Sequence, residues 1–160
     1  MDTLAVVFEQ PEQLSVRSLE LVPATDMDVI VAMRWSGIST GTEKLLFTGR
    51  MPPFPGLGYP LVPGYEGVGD IIAAGPESGR EVGQLVYVAG SRGFTEARGL
   101  FGGQAARVVV PGAKTIVLRP ELGERGTHDE GCRDRPVDVD AEEGRHLAVL
   151  LAGTLGAAER

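Results

Sequence analysis

Two short stretches of the sequence carry the side chains that could do chemistry. Residues 36–43 read Ser-Gly-Ile-Ser-Thr-Gly-Thr-Glu, a loop rich in hydroxyl groups that follows an apolar run. Residues 61–69 read Leu-Val-Pro-Gly-Tyr-Glu-Gly-Val-Gly and add a phenol and a carboxylate. Groups of these kinds exchange hydrogen bonds and protons with a bound molecule. Two polar loops that bracket an apolar surface are typical of a substrate pocket, so we expect a pocket here.

The segment between these stretches, residues 49–60, could supply the apolar surface. It contains four prolines and three glycines, which favour a rigid, irregular loop. Its large apolar side chains are Met51, Phe54, Leu57 and Tyr59. Composition alone favours a loop that folds over the domain and packs on itself. The alternative is a wall for a large, flat, apolar substrate.

The overall composition indicates a β-rich domain and excludes several classes of partner. Hydrophobic residues make up 42% of the 160 residues, and 23 glycines and 11 prolines lie dispersed between short apolar runs. The net charge of -7 argues against binding to nucleic acid or anionic lipid. The N-terminus lacks the features of a signal peptide, and no apolar run reaches the ~18 residues of a membrane span. We therefore expect a cytoplasmic protein that is not inserted in a membrane.

Short strands must position the two polar stretches. Residues 3–17 predict an opening hairpin, and Asp28 to Trp35 predict a central strand that is buried on both faces. Tyr65 to Ala74 predict a long strand in which Gly67 and Gly69 share one face, where another backbone or a ligand could approach closely. Further strands are predicted at residues 82–88, 104–110 and 114–118. This spacing is typical of a small barrel or sandwich.

Two further elements are predicted outside the strands. Residues 43–47 could form one helical turn with Thr42 as its N-cap. Beyond residue 120 the chain becomes polar and poor in aromatic residues. We expect a domain over residues 1–120 and a polar, poorly ordered tail over 121–160, with a short helix at about 141–152.

Several of these segments together resemble the catalytic domain of the medium-chain dehydrogenases/reductases, a mainly β barrel related to GroES. The resemblance covers about the first 118 residues and is carried by residues 36–39, 63–69, 83–88 and 105–110. Over residues 36–66 the sequence is similar to the bacteriochlorophyllide dehydrogenases of this superfamily. That resemblance implies oxidation of the 1-hydroxyethyl group on ring A of a bacteriochlorophyllide tetrapyrrole to an acetyl group, with NAD as hydride acceptor.

The same resemblance argues against a metal site. In zinc-dependent members the corresponding places read Gly-Ile-Cys-His and Pro-Gly-His-Glu. Here Ser39 stands at the place of the cysteine and Tyr65 at the place of the histidine, and both are poor zinc ligands. Cys132 is the single cysteine, so a four-cysteine zinc lobe is excluded, and its neighbours His128 and Asp129 lie in the polar tail. The prediction is an enzyme domain without zinc.

Without a metal, proton transfer falls to side chains. The candidate catalytic residues are Ser39, Thr42, Tyr65 and Glu66, and Thr40 joins the four apolar residues of the 49–60 loop as a substrate-binding candidate. Alternative roles remain open at this stage. Thr42 could cap the helix, Tyr65 could be a core tyrosine with a bonded hydroxyl, and Glu66 could bond the backbone.

The cofactor has no assigned residues in this sequence. Full-length members of the family follow the barrel with a Rossmann domain, and no glycine-rich strand–turn–helix unit of that kind is found here. We therefore expect the substrate half of a truncated dehydrogenase, with little activity by itself. The alternatives are a non-catalytic GroES-like module that binds a ligand or partner, and a fragment of a zinc-free reductase similar to quinone oxidoreductases.

Overall fold

The computed structural model describes residues 1–91, 93–118 and 137–138. The described chain is mainly β and contains one short α-helix. Its strands are β1 (Asp2–Gln10), β2 (Gln13–Glu20), β3 (Asp28–Ser36), β4 (Gly67–Ala74), β5 (Leu85–Val88), β6 (Arg107–Pro111), β7 (Thr115–Val117) and β8 (Val137–Asp138). The helix α1 spans Thr42–Phe47, and a 3₁₀ turn at Gly112–Lys114 precedes β7.

The opening hairpin is confirmed. Strands β1 and β2 pair antiparallel over nearly their whole length. The outer edge of β1 also bonds to later segments, because Val6 donates to the carbonyl of Gln104 (3.0 Å) and Phe8 donates to that of Leu61 (2.8 Å). The hairpin therefore holds together two loops that lie far apart in the sequence.

The predicted central strand is confirmed in its position, but the prediction that both of its faces are buried is wrong, because Ile30 and Ala32 are half-buried and Arg34 is exposed. Strand β3 lies inside a sheet of order β6-β3-β4-β5-β7, in which the neighbouring strands are antiparallel. The short strand β8 pairs with the end of β3, at Trp35 and Ser36. Because β3 ends at Ser36, the hydroxyl-rich loop leaves the sheet directly from its centre.

The two glycines of β4 permit the close approach that the sequence predicts. A Cβ at Gly67 would overlap the side chain of Met33, and one at Gly69 would overlap the carbonyl oxygen of Ala32. Strand β4 therefore lies tightly against β3. This packing brings Tyr65, just before β4, close to the loop that follows β3.

Apolar side chains form two clusters. The first lies between the hairpin and the main sheet and includes residues from most strands. The second, here called the helix cluster, consists of Val6, Phe8, Ile38, Leu46 and Leu61. It fixes α1 to the hairpin and so supports the loop on which the polar candidates lie.

The start of α1 differs from the prediction. Thr42 is the first helical residue, and Gly41 occupies the N-cap position without a side-chain hydrogen bond. The prediction that Thr42 caps the helix is therefore wrong. Ser39 takes over part of that role, because its carbonyl accepts the N–H of Glu43 (2.9 Å) and its Oγ accepts that of Thr42 (3.4 Å).

Most of the predicted tail lies outside the described residues. This includes the helix predicted near 141–152 and the residues His128, Asp129 and Cys132. In the part of the chain that is described, no helix is long and apolar enough to cross a membrane.

Candidate active site

The two polar stretches meet at the end of the central strand. The backbone N–H of Gly37 donates to the carbonyl of Glu66 at 2.8 Å, and the Glu66 side chain lies against Gly37. The loop after β3 and the turn before β4 therefore run side by side. The two segments also meet through side chains, because the Tyr65 hydroxyl contacts Thr42 Oγ1.

Three candidate residues of these stretches are linked through Thr42. The Tyr65 hydroxyl donates to Thr42 Oγ1 at 3.4 Å, and Ser39 Oγ accepts the backbone N–H of Thr42 at the same distance. All three residues are half-buried. Both contacts are long for hydrogen bonds, so each hydroxyl keeps capacity for a shorter bond to another molecule. The structure thus brings three of the four candidate catalytic residues together.

The aromatic ring of Tyr65 is held by packing. It lies edge to face against Phe101, with 5.3 Å between the ring centroids. This arrangement is the preferred one for two aromatic rings. It fixes the direction of the phenol, whose hydroxyl meets Thr42.

Glu66 lies at the edge of this group and is exposed. Its effect is seen at Tyr87, a half-buried neighbour on β5. Burial raises the pKa of the Tyr87 phenol, and the charge of Glu66 raises it further, as does Tyr65. Glu66 therefore supplies an accessible negative charge beside two phenols.

A second carboxyl group, that of Glu43, is buried in the domain and was not a candidate from the sequence. Glu43 is completely buried, and its Oε2 accepts a hydrogen bond from Nε2 of buried Gln104 at 3.0 Å. Burial raises the pKa of Glu43 to about 7, and the hydrogen bond from Gln104 opposes this shift without cancelling it. A glutamate in the first turn of a helix is usually exposed, so its position in the sequence gives no signal of burial.

The 49–60 loop covers the helix cluster rather than standing apart from it. Met51, Leu57 and Tyr59 pack against that cluster, and the Tyr59 hydroxyl donates to the carbonyl of Leu46. Burial raises the pKa of the Tyr59 phenol. Phe54 is half-buried and accepts the N–H of Leu57 at its carbonyl (3.1 Å). The contacts of Met51, Leu57 and Tyr59 match the packed loop that composition alone favours, and the half-buried state of all four side chains leaves part of each accessible.

Thr40 lies between Ser39 and the helix and is exposed. A cleft of about 360 Å³ is found elsewhere on the described surface. Its lining residues are Ala89, Gly90, Ser91, Leu100, Val110, Pro111 and Lys114, and none of them is a candidate from the sequence.

The candidate side chains at the end of the central strand are poor ligands for a metal ion. Ser39 and Tyr65 offer a hydroxyl and a phenol, which bind zinc poorly beside thiolate or imidazole. Within residues 1–91 and 93–118, no group of three or more His, Cys, Asp or Glu side chains could hold a metal ion. Whether the whole protein uses zinc stays a prediction.

Comparison with known proteins identifies the fold family. The alcohol dehydrogenase GroES-like domain family matches residues 25–121. The chain belongs to this family. The thermostable alcohol dehydrogenase of Pyrobaculum aerophilum superposes with a TM-score of 0.60 at 22% identity, over 78% of this chain and 43% of that chain. The prediction of a GroES-like, mainly β domain of a medium-chain dehydrogenase is confirmed.

Two curated relatives are more similar in sequence. Both are named 2-desacetyl-2-hydroxyethyl bacteriochlorophyllide A dehydrogenase. The protein from Cereibacter sphaeroides is 45% identical over 131 residues, and the one from Rhodobacter capsulatus is 43% identical over 127 residues. Each alignment covers 79% of this chain, but only 41% and 40% of the respective relative. The chain thus spans about two fifths of the length of these relatives.

Proposed function

We propose that this chain is the substrate-binding part of a dehydrogenase that oxidises a secondary alcohol on a tetrapyrrole. The substrate is a bacteriochlorophyllide whose 1-hydroxyethyl group on ring A becomes an acetyl group. Identity of 45% to a dehydrogenase named for such a substrate supports this proposal. The structural observation that carries it is the contact between the Tyr65 hydroxyl and Thr42 Oγ1 at the end of the central strand.

In this proposal, the described residues provide the groups that accept the hydroxyl proton. Oxidation of an alcohol removes the hydroxyl proton and transfers a hydride from the carbon. The substrate hydroxyl would bond to Thr42 or Tyr65, whose mutual contact is long enough to be replaced. Ser39 adds a third hydroxyl to the relay, and exposed Glu66 can pass the proton to solvent.

The site that binds the hydride acceptor belongs to a different part of the whole protein. NAD is the acceptor that the family resemblance implies, but the described residues form no dinucleotide site. Such a site needs a helix between two parallel strands, whereas α1 has six residues and lies between antiparallel β3 and β4. This chain spans about two fifths of its relatives, so we assign the acceptor site to the remaining part of the protein.

The macrocycle would lie against the 49–60 loop. The loop presents the partly accessible apolar faces of Met51, Phe54, Leu57 and Tyr59, while its other contacts hold it on the helix cluster. A wall fixed in this way offers a flat pigment an apolar surface that is already formed. Exposed Thr40 follows Ser39 in the chain and could bond a polar substituent of the pigment.

A titration with pigment tests the binding part of this proposal. Bacteriochlorophyllide carrying the hydroxyethyl group is added to the folded chain while its absorbance and fluorescence are recorded. We expect saturable binding that weakens in Phe54→Ala but not in Phe47→Leu, which alters an aromatic side chain on α1. Failure of the folded chain to bind the pigment would contradict the proposal.

A chimera tests the catalytic part. The chain is joined to the part of the Cereibacter sphaeroides relative that lies outside the aligned region. Oxidation of the pigment is then followed with NAD. Loss of a proton-transfer group costs about 10²- to 10⁴-fold in rate, so Tyr65→Phe and Thr42→Val should lower kcat by about that factor. The matched control is Thr95→Val, which removes an exposed hydroxyl that bonds Glu20. Equal turnover in all three variants would remove Tyr65 and Thr42 from the reaction.

A further inference from the structure

The buried pair of Glu43 and Gln104 has unused hydrogen-bonding capacity. Glu43 has no exposed surface and Gln104 is 1% exposed. One hydrogen bond joins them, from Gln104 Nε2 to Glu43 Oε2 at 3.0 Å. The second carboxyl oxygen of Glu43 and the amide oxygen of Gln104, both named Oε1, have no hydrogen-bond partner in the described part of the chain.

The two unpaired oxygen atoms indicate a particular protonation state. An ionised carboxylate and an amide oxygen are both acceptors only, so they cannot satisfy each other. A protonated carboxyl has an O–H group, and a carboxylic acid pairs with a primary amide through two hydrogen bonds. The structure already contains one of these bonds. A proton on Oε1 of Glu43 would supply the donor that Oε1 of Gln104 lacks.

The surroundings of Glu43 favour the neutral form. Burial is the largest influence and raises its pKa to about 7. The charged group that acts on it is Glu66, whose negative charge raises the pKa further. Gln104 and the backbone of Ser39 favour the ionised form, although Ser39 makes no hydrogen bond of normal geometry with Oε1. Burial prevails over these two contacts.

Gln104 also connects the two halves of the site. Its backbone N–H donates to the carbonyl of Pro63 at 2.9 Å, two residues before Tyr65. Gly64 lies against it with a φ of +93°, where a Cβ would lie 2.6 Å from Gln104 Cγ. Through its side chain, Gln104 holds Glu43, the neighbour of Thr42. One residue therefore links the backbone that carries the phenol to the helix that carries the hydroxyl.

We propose that Glu43 is a neutral carboxylic acid joined to the amide of Gln104 by two hydrogen bonds, and that this pair positions Thr42 against Tyr65. Glu43 and Gln104 are positioning residues, since they act through Thr42 and Tyr65. The positioning role rests on the proposed function, whereas the protonation state does not.

The protonation state is tested by carbon-13 NMR of the whole chain with labelled glutamate carboxyl groups. The Glu43 resonance is identified by its loss in Glu43→Gln. We expect it to titrate with a midpoint of about 7, well above the ~4.3 of a glutamate in a model peptide. An infrared band of a protonated carboxyl at pH 6 should vanish in Glu43→Gln and persist in Glu77→Gln, which changes an exposed residue. A Glu43 midpoint below about 5 would overturn the proposal.

The positioning role is tested by NMR, through the nuclear Overhauser effect between the Tyr65 ring and the Thr42 methyl group, whose signal is assigned with Thr42→Ser. We expect Gln104→Ala to weaken or abolish this effect, because Thr42 loses its position against Tyr65. The double variant Glu43→Gln with Gln104→Glu exchanges the acid and the amide, and it should restore the effect. Leu45→Ala changes an exposed residue of the same helix and should leave it unchanged.

Three outcomes separate this inference from the proposed function. An unchanged effect between the Tyr65 ring and the Thr42 methyl group in Gln104→Ala would overturn the positioning role. A double variant that folds but does not restore the effect would do the same, even if Gln104→Ala fails to fold. Absence of pigment binding would contradict the proposed function alone, because the NMR midpoint of Glu43 is measured without pigment.

Discussion

The two ends of helix α1 lie in opposite environments. At its C-terminal end, Leu46 is fully buried in the helix cluster, and its carbonyl accepts the hydroxyl of Tyr59 from the covering loop. At its N-terminal end, Glu43 is equally buried. Its Oε1 atom and the amide oxygen of Gln104 have no hydrogen-bond partner among the described residues. The first environment satisfies its polar groups at any pH, whereas the second does so only when Glu43 carries a proton.

This difference separates the residues that stabilise the fold from those that the proposed reaction would use. Burial of a polar group without a partner destabilises a protein, so such groups persist where another role retains them. Apolar packing at the far end of the same short helix offsets that cost. If this account is correct, substitutions at the two ends should have opposite effects on stability.

The largest effect is expected at the apolar end. Leu46→Ala removes a fully buried side chain from the helix cluster, and such substitutions lower the free energy of unfolding by about 2–5 kcal/mol. Urea denaturation at pH 7 measures the change. Leu45→Ala is the control, since Leu45 is 39% exposed and should change the stability by less than about 0.5 kcal/mol. Equal losses in both variants would show that the helix cluster does not anchor α1.

The polar end should behave in the opposite way and depend on pH. The pKa of Glu43 is raised from 4.5 to about 7 on folding. Between these values the folded state binds more protons than the unfolded state, so stability falls as pH rises from about 4.5 to 7. Glu43→Gln removes this dependence. It should be more stable than the wild type by about 3 kcal/mol at pH 8, because each pKa unit corresponds to about 1.4 kcal/mol.

Denaturation curves of both proteins at pH 4, 6 and 8 provide the measurement. The difference attributed to Glu43 should vanish at pH 4, where the carboxyl is protonated in both states. Glu77→Gln, an exposed substitution, serves as control and should follow the wild-type curve. A constant difference at all three pH values would mean that titration of Glu43 is not its source.

A smaller effect is expected where the 49–60 loop meets the helix. Tyr59→Phe removes the hydroxyl that donates to the Leu46 carbonyl but keeps the ring on the helix cluster. Loss of one such hydrogen bond lowers the free energy of unfolding by about 0.5–1.5 kcal/mol. Thermal unfolding compared with Phe54→Leu, a change outside the helix cluster, tests this contact. A loss as large as that of Leu46→Ala would show that the loop depends on this hydroxyl more than on packing.

The strands could be predicted because local patterns determine them. The alternation in residues 3–17 predicts the hairpin, and the spacing of Gly67 and Gly69 predicts the close approach of β4 to β3. The proximity of Tyr65 and Thr42 could also be anticipated, since the two polar stretches flank neighbouring strands. Each of these inferences depends on periodicity over a few residues.

The buried carboxyl could not be predicted in this way. Glu43 is buried because Gln104, 61 residues later in the chain, meets it across the domain. The N-cap was misplaced by one residue, because Gly41 is compatible with the cap position and Ser39 bonds the first N–H groups instead. Composition could show that the 49–60 loop is apolar and rigid, but not which cluster it would cover.

The smallest effect on stability is expected for Tyr65→Phe, the substitution with a large expected effect on turnover. The hydroxyl contact with Thr42 is 3.4 Å long and the ring is held by Phe101, so its loss should change the free energy of unfolding by less than about 0.5 kcal/mol. Phe101→Leu, which removes the ring contact, should cost more. A Tyr65→Phe variant that loses stability as Tyr59→Phe does would place Tyr65 among the residues that hold the fold. Unchanged stability with lost turnover in the chimera would instead place its hydroxyl among those that the reaction uses.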